Sequence, residues 1–296
     1  MSKGFFYALG AYLTWGFFPI YFKALHEIPA LQIIGHRVVW SFLFFILLAT
    51  VTKELRAIRL ALKIRRTVIV YMISALLLGA NWLIYVYGVN SGFIVETSLG
   101  YFINPLFNVL LGIIFFRERL RTWQWVAVGL GAVGVVYLTI SYGKLPWIAL
   151  GLAVSFGLYG YVKKIAPLSS VQGLTLETGI LFLPALAYLL VTQGSGEGAF
   201  GQVSWGVTLL MAGSGVITAI PLILFSSAAQ LIPLSMLGLI QYVAPVCQFL
   251  IGVLIYNEPF TQARLVGFSA IWVALAILVG EGFLRRRGAQ TASVKS

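Results

Sequence analysis

Long apolar runs separated by short polar connections dominate the chain. The runs lie at residues 4–24, 31–52, 67–89, 94–116, 122–141, 146–163, 170–192, 204–227, 234–256 and 262–284. Most of them are long enough to cross a hydrocarbon core of about 30 Å, because an α-helix rises about 1.5 Å per residue. Only 146–163 is short for this role. The pattern predicts an all-α polytopic membrane protein with ten transmembrane helices.

Composition excludes a soluble domain of this size. Of the 296 residues, 60% are hydrophobic and only 9% are charged, whereas soluble domains carry about a quarter of charged residues. A single cysteine, Cys247, excludes internal disulfides and a cysteine-based metal site. The first apolar run carries aromatic residues throughout, so we expect it to be a membrane span and not a cleavable signal peptide.

Basic residues are distributed unevenly between alternate connections. With the N-terminus inside, the inner connections hold 16 of them, including Lys163 and Lys164. The outer connections hold Lys23, Lys144 and Arg264. Arg37 lies within a span. Because cytoplasmic loops are enriched in Lys and Arg, both termini are predicted to be cytoplasmic, and the charge is expected to set topology and not to bind nucleic acid.

The two halves of the chain are related to each other. With a shift of 140 residues, 102–105 lies over 242–245 and Glu118 lies over Glu258. Each half holds five spans, so the second crosses the membrane in the opposite direction. The predicted units are the repeats 1–141 and 142–284 and a basic cytoplasmic tail at 285–296. Inverted repeats indicate alternating access with a site at the midplane; a duplication kept only for folding is the alternative.

Polar residues form one stripe on the fourth span. At spacings of four, three and four, the stripe consists of Thr97, Tyr101, Asn104 and Asn108. The equivalent stripe of the ninth span carries Gln241 and Gln248. Amides within a membrane need partners. These residues are therefore predicted to line a shared cavity that binds substrate, or to join helices by interhelical hydrogen bonds.

Aromatic and polar side chains deep in two other spans extend this candidate site. They are Trp15 in the first span and Asn81, Trp82 and Tyr85 in the third. Trp at span ends would belong to an interfacial belt, but Trp15 and Trp82 lie too deep for that. We therefore predict that they form walls suited to an aromatic or amphipathic solute.

Ionisable residues inside or at the mouth of spans are candidates for coupling or gating. They are His36, Arg37, Glu96 and Glu177. A charge within the membrane is costly unless paired, so Arg37 is expected to pair with Glu96 or Glu177. A structural ion pair and a proton relay both remain open, and Glu96 is either an outer gate or an interfacial carboxylate at a helix N-terminus.

Catalytic motifs are absent from the sequence. It contains no HExxH, GxSxG or Walker A pattern, and its two histidines are His26 and His36. We therefore predict no catalytic residues, no metal site and no cofactor. Without an ATP site, any pumping would draw on ion or solute gradients.

A family resemblance is carried by blocks along nearly the whole chain. The blocks are 11–23, 36–41, 79–90, 96–120, 155–164, 237–245 and 268–277. Together they resemble the RarD-type proteins in the EamA branch of the drug/metabolite transporter superfamily. The resemblance implies ten helices in an inverted five-plus-five arrangement, cytoplasmic termini and the bacterial inner membrane. It also implies export of small metabolites, among which amino acids are the best-known substrates.

The leading hypothesis is that the protein is a secondary transporter that exports its solute. Its expected partners are a small-molecule solute and the surrounding lipids. A lipid flippase is the alternative and would need a lateral opening and a basic headgroup site. A scaffold or sensor that does not transport is a third hypothesis, and it gives no reason for a polar stripe in both halves. The oligomeric state stays undetermined, because glycine-rich faces serve contacts within a chain as readily as between chains.

Overall fold

The computed structural model describes residues 2–91, 94–142 and 145–256 and the single positions 269, 273, 276 and 277. Within these residues the chain is helical and has no β-strand. Its helices are α1 (Lys3–Gly16), α2 (Phe18–Lys23), α3 (Ala30–Val51), α4 (Leu55–Ala61), α5 (Arg65–Asn90), α6 (Ile94–Phe116), α7 (Thr122–Tyr142), α8 (Trp147–Ile165), α9 (Ser170–Gly194), α10 (Trp205–Leu231), α11 (Leu234–Gln241) and α12 (Val243–Leu254).

Seven stretches of the described helix are long and apolar enough to cross a membrane. They are α1 with α2, α3, α5, α6, α8, α9 and α10. Two shorter apolar stretches, Thr122–Tyr137 and Leu234–Gln248, coincide with the predicted fifth and ninth spans. The chain is therefore a multi-pass, all-α membrane protein. Apart from the single positions, the predicted tenth span at 262–284 lies outside the described residues.

Two of the predicted spans are interrupted. The first bends at Phe17, between α1 and α2, and Pro19 lies in the first turn of α2. The ninth bends at Tyr242, just before Pro245. Proline has no N–H and cannot continue the hydrogen bonds of the preceding turn. In contrast, α6 continues through Pro105.

The helices of the two predicted halves pack mainly against each other. α1 packs on α10, α5 on α8, α3 on α9, and α6 on α11; α6 also packs on α8, α1 on α12, α3 on α10 and α5 on α9. When the spans are numbered along the chain, each of these contacts recurs between the two spans that lie five places away. The contact of α1 with α10, for example, corresponds to that of α5 with α8, and the contacts of α3 with α9 and of α6 with α11 correspond to themselves. The result is a bundle in which the two sets of spans enclose a common interior.

A close helix crossing lies at the centre of this bundle. A Cβ at Gly238 in α11 would lie 2.6 Å from the carbonyl oxygen of Pro105 and 2.8 Å from the Cβ of Asn108. On the other side of α6, a Cβ at Gly157 in α8 would overlap the ring of Phe107. Glycine at these two positions therefore lets α6 fit between α8 and α11.

The two ends of the bundle differ in charge. At the end where α6 ends and α11 begins, called here the Glu118 end, the described connections hold Lys53, Arg117, Arg119 and several further basic residues. At the opposite end, called the Lys23 end, Lys23 is the only Lys or Arg in the described helix ends and connections. The predicted outer residues Lys144 and Arg264, and the tail at 285–296, lie outside the described residues.

Candidate functional site

A cavity of about 390 Å³ lies between helices of both predicted halves. That volume falls within the usual range of small-molecule sites. Of the ten residues predicted to bind substrate, eight line this cavity. They are Trp15, Asn81, Trp82, Tyr85, Tyr101, Asn104, Gln241 and Gln248. The structure thus brings together side chains from α1, α5, α6, α11 and α12.

Thr97 and Asn108 are the two predicted binding residues that do not line the cavity. Thr97 is buried at the contact between α6 and α5, where a Cβ on Gly88 would overlap its methyl group. Asn108 is fully buried at the crossing of α6 with α11. The polar stripe is therefore longer than the cavity, which covers only its central part.

Asn108 joins the amides of the two central spans. Its Nδ2 donates to Asn104 Oδ1 at 3.0 Å and to Gln241 Oε1 at 2.9 Å. Further along the ninth span, Gln248 Nε2 donates to the carbonyl oxygen of Trp15 at 3.1 Å. Asn104, Gln241 and Gln248 thus line the cavity and also join helices, whereas Asn108 only joins helices.

A second set of amide contacts ties the cavity wall to α8. Asn104 Nδ2 donates to the carbonyl oxygen of Ala153 at 3.1 Å. Asn81 Nδ2 donates to the carbonyl oxygen of Leu152 and to Ser155 Oγ, both at 3.0 Å. These hydrogen bonds fix both amide groups, so their remaining polar atoms keep a defined direction.

Arg37 reaches the cavity from α3 and is half-buried. Its guanidinium carbon lies 4.6 Å from the ring centre of Trp82, 5.2 Å from that of Phe22 and 5.9 Å from that of Phe18. Its Nε donates to Thr218 Oγ1 at 3.0 Å. Aromatic faces attract a guanidinium group, most strongly where water is excluded. The charge is therefore held by rings and a hydroxyl.

Glu177 is fully buried in α9, and its partner is Lys163 instead of Arg37. Lys163 Nζ lies 2.8 Å from Oε1 of Glu177. Ser74 Oγ donates to the same oxygen at 2.8 Å, and the hydroxyl of Tyr159 donates to Oε2 at 3.2 Å. Two expectations are thereby corrected: Glu177 is not the partner of Arg37, and Lys163 lies buried in the last turn of α8 instead of in an inner connection.

His36 also lies outside the cavity lining. Its ring stacks on Phe200, in the connection between α9 and α10, with 4.8 Å between the ring centres. One turn earlier, Gln32 Nε2 donates to the carbonyl oxygen of Glu197 in the same connection at 2.8 Å. His36 thus packs against a loop at the Lys23 end. Glu96 lies in the first turn of α6, and its side chain is outside the described part of the structure.

Aromatic rings separate the cavity from the Glu118 end. Trp15 lies 5.6 Å from Tyr12 and 5.7 Å from Phe156, measured between ring centres, and all three rings line the cavity. Behind them, the fully buried rings of Tyr159 and Phe225 stack at 5.8 Å with an interplanar angle of 10°. These five residues, called here the aromatic floor, close the cavity on that side.

Beyond the aromatic floor, Glu118 connects the two predicted halves. Its carboxylate accepts hydrogen bonds from the backbone N–H groups of Leu234 at 2.7 Å and Ser235 at 2.8 Å, and from Ser235 Oγ at 2.5 Å. A carboxylate at a helix N-terminus satisfies free N–H groups and interacts favourably with the helix dipole. Sequence reasoning assigned Glu118 no role, although Pro233 offers α11 no capping side chain.

Sequence reasoning also missed several residues of the cavity wall. These are Phe18, Phe22, Phe156 and Thr218. A hydroxyl in the middle of the eighth apolar run was the available signal for Thr218. The phenylalanines gave none, since single apolar residues in an apolar run do not show which face they occupy.

The comparisons with known proteins agree on one family. The sequence profile of the EamA-like transporter family matches residues 2–140. The uncharacterized transporter YojE of Bacillus subtilis is 43% identical over 283 residues, which cover 93% of each chain. Protein RarD of Escherichia coli is 40% identical over 285 residues, or 96% of each chain. A crystal structure with 18% identity has the same fold, with a TM-score of 0.70 over 97% of this chain and 99% of that one.

Proposed function

The chain belongs to the EamA-like transporter family, and from this premise we propose that it is a secondary transporter exporting a small metabolite across the bacterial inner membrane. The solute is an amino acid or a related compound with polar and aromatic parts. The observation that carries this proposal is the cavity itself, which combines fixed amides, phenols and aromatic rings from both predicted halves.

Alternating access between two inverted halves is the mechanism we propose. Helix contacts that recur when spans are exchanged five places along the chain support it, as inverted repeats usually rock against each other around a central site. The proposed topology has ten helices with both termini in the cytoplasm. The concentration of described basic residues at the Glu118 end supports this orientation.

In this mechanism the observed arrangement is the state closed to the cytoplasm. The cavity wall reaches Phe22 and Ala30, at helix ends on the Lys23 side. On the opposite side the aromatic floor and the cap formed by Glu118 intervene. Opening toward the cytoplasm would require the rings of the floor to separate and Glu118 to release α11. Glu118 is therefore the gating residue we propose for this side.

The proposed roles of the site residues follow from their positions. Tyr101, Asn104 and Gln241 contact polar groups of the solute, whereas Trp15 and Trp82 contact its apolar body. Thr97 acts through helix packing, and Asn108 acts through the amides of Asn104 and Gln241 that it joins. Glu177 and His36, which lie outside the lining, act in helix packing in this proposal, and Glu96 stays a candidate for the outer gate.

Counterflow in proteoliposomes tests the proposed function. Purified protein would be screened by thermal shift against water-soluble metabolites and lipids, and each hit would then be tested for uptake into preloaded vesicles. We expect a soluble metabolite to be exchanged, and Asn104→Ala to lower its initial rate at least about tenfold, since fixed polar groups orient the ligand. Gln202→Ala, at an exposed amide outside the cavity, is the matched control. Stabilisation by lipids alone, with no exchange of any solute, would contradict the proposal.

A further inference from the structure

The cavity wall carries one positive charge that no carboxylate of the described lining neutralises. Arg37 is the charged residue of that lining, and the other polar groups are amides, phenols, two indoles and a hydroxyl. The buried carboxylate of Glu177 is bound to Lys163. A cation that is largely removed from water normally has an anionic partner, because desolvating an unpaired charge is costly. Because the described residues supply no counter-ion for Arg37, we look for its partner among the molecules that enter the cavity.

Its contacts orient the guanidinium group of Arg37 toward the cavity. Three aromatic rings surround the group, and Nε is engaged by Thr218. A guanidinium group has five N–H donors. Only the Nε–H has an acceptor among the described residues, so the four N–H groups of the two terminal nitrogens are available. This is the planar pair of donors that binds a carboxylate through two parallel hydrogen bonds.

Phenol groups lie in the same wall of the cavity. The rings of Tyr85 and Tyr101 are 6.2 Å apart and edge-to-face, and both side chains remain partly exposed to the cavity. Phenol hydroxyls can donate further hydrogen bonds to an anion. On another side, Trp15 and Phe156 offer aromatic faces. The cavity thus combines a cationic, donor-rich region with an apolar aromatic region.

We propose that Arg37 binds the carboxylate of the transported solute, whose apolar or aromatic body packs toward the aromatic floor. This inference rests on the proposed function and narrows its substrate class to organic carboxylates. The rings around Arg37 hold the guanidinium in place before the solute arrives, which lowers the entropy lost on binding. Thr218 is a positioning residue, because it fixes the guanidinium through Nε and leaves the terminal nitrogens free.

A series of probes with a common phenylethyl group separates charge from shape, since the carboxylate and its amide have the same shape. The probes are 3-phenylpropanoate, its amide 3-phenylpropanamide, and 2-phenylethylamine. Their binding to the full-length protein would be measured calorimetrically in phosphatidylcholine nanodiscs. We expect the carboxylate to bind roughly 10- to 100-fold more tightly than the amide, because the two hydrogen bonds to a charged acceptor are stronger than those to a neutral acceptor. The amine should bind most weakly.

Variants assign this preference to Arg37. Arg37→Gln should abolish the difference between carboxylate and amide, mainly by weakening the binding of the carboxylate. Lys23→Gln is the matched control, since Lys23 also lies over an aromatic ring, Tyr256 at 5.4 Å, but is outside the cavity lining. It should keep the full preference. Thr218→Val should reduce the preference several-fold, and it also serves if Arg37→Gln is not monodisperse.

Several outcomes would overturn the proposal. Equal affinity for the three probes, or a preference retained in Arg37→Gln, would show that the rings and Thr218 satisfy the charge structurally. If Arg37→Gln does not fold, equal affinity of the wild-type protein for the three probes still refutes the anion site, and an undiminished preference in Thr218→Val refutes the positioning role of Thr218. Displacement of 3-phenylpropanoate by added phosphatidylglycerol would assign the anion to a lipid headgroup instead of a solute.

The same measurements distinguish this proposal from the proposed function. Counterflow of neutral or cationic solutes only, with no response to carboxylates, would leave transport standing and refute the anion site. Binding of 3-phenylpropanoate that depends on Arg37, without exchange of any carboxylate in proteoliposomes, would support the anion site and refute transport.

Discussion

Glu118 caps the helix that contains Ser235, with its carboxylate 2.8 Å from the backbone nitrogen and 2.5 Å from the hydroxyl of that residue. The two residues belong to different predicted halves of the chain. Glu118 follows the last turn of α6, whereas Ser235 begins the ninth span. The contact holds the halves together at the Glu118 end, beyond the aromatic floor. If the halves rock about the cavity to open it toward that end, this contact has to break.

The first prediction concerns this cap. Glu118→Ala should increase amide hydrogen exchange at Leu234 and Ser235 roughly 10- to 100-fold, because loss of a half-buried, charged acceptor costs about 1–3 kcal/mol. Hydrogen-exchange mass spectrometry of the peptide that begins α11 measures it. Glu197→Ala is the control, since Glu197 is an exposed acid in a connection at the opposite end. Unchanged exchange in α11 would show that the cap does not limit its opening.

Helical periodicity was enough to predict much of the cavity wall. Trp15, Asn104 and Gln248 were assigned from spacing and depth, and the structure places all three in the cavity wall. The depth of the cavity was not predictable in this way. Asn104 and Asn108 lie one turn apart on the same stripe, and only the packing of Gly157 and Gly238 shows that Asn108 is enclosed.

Contacts between distant parts of the chain were the least predictable. Lys163 and Glu177 pair across two helices, and their distance in sequence gives no spacing rule that would indicate it. The same holds for Arg37 and Thr218, which meet only because α3 packs on α10. A charged residue within an apolar run indicated that it needed a partner, but it did not indicate which residue the partner was. The local sequence pattern therefore predicts the helices, whereas the pairs of side chains are determined by the tertiary structure.

The second prediction concerns the amide that joins the central spans. Asn108→Ala should lower the free energy of unfolding by about 1–2 kcal/mol, because Asn104 and Gln241 each lose a donor within the membrane. Since both amides line the cavity, the counterflow rate should fall as well. Thermal unfolding in detergent and proteoliposome assays measure the two effects. Wild-type values for both would show that Asn108 does not position these amides.

The third prediction uses two glycines in different surroundings. Gly238→Ala should destabilise the protein by about 1–3 kcal/mol, because the added methyl overlaps the backbone of Pro105 and α6 must move. Gly129→Ala in α7 is the matched control, with no atom within 4 Å of the added Cβ among the described residues. That substitution should be neutral or stabilising by up to about 1 kcal/mol. Equal thermal stability of the two variants would contradict the close crossing.

The last prediction concerns the buried ion pair. Glu177→Gln should destabilise the protein by about 3–5 kcal/mol, because it leaves the ammonium of Lys163 buried without its counter-charge. The double variant Lys163→Met with Glu177→Gln should recover a large part of that loss, since an apolar side chain of similar length needs no partner. Thermal unfolding of the single and double variants measures the difference. Because neither residue lines the cavity, the double variant should also retain counterflow. A double variant that is stable but inactive would indicate that the pair takes part in coupling and does more than hold α8 to α9.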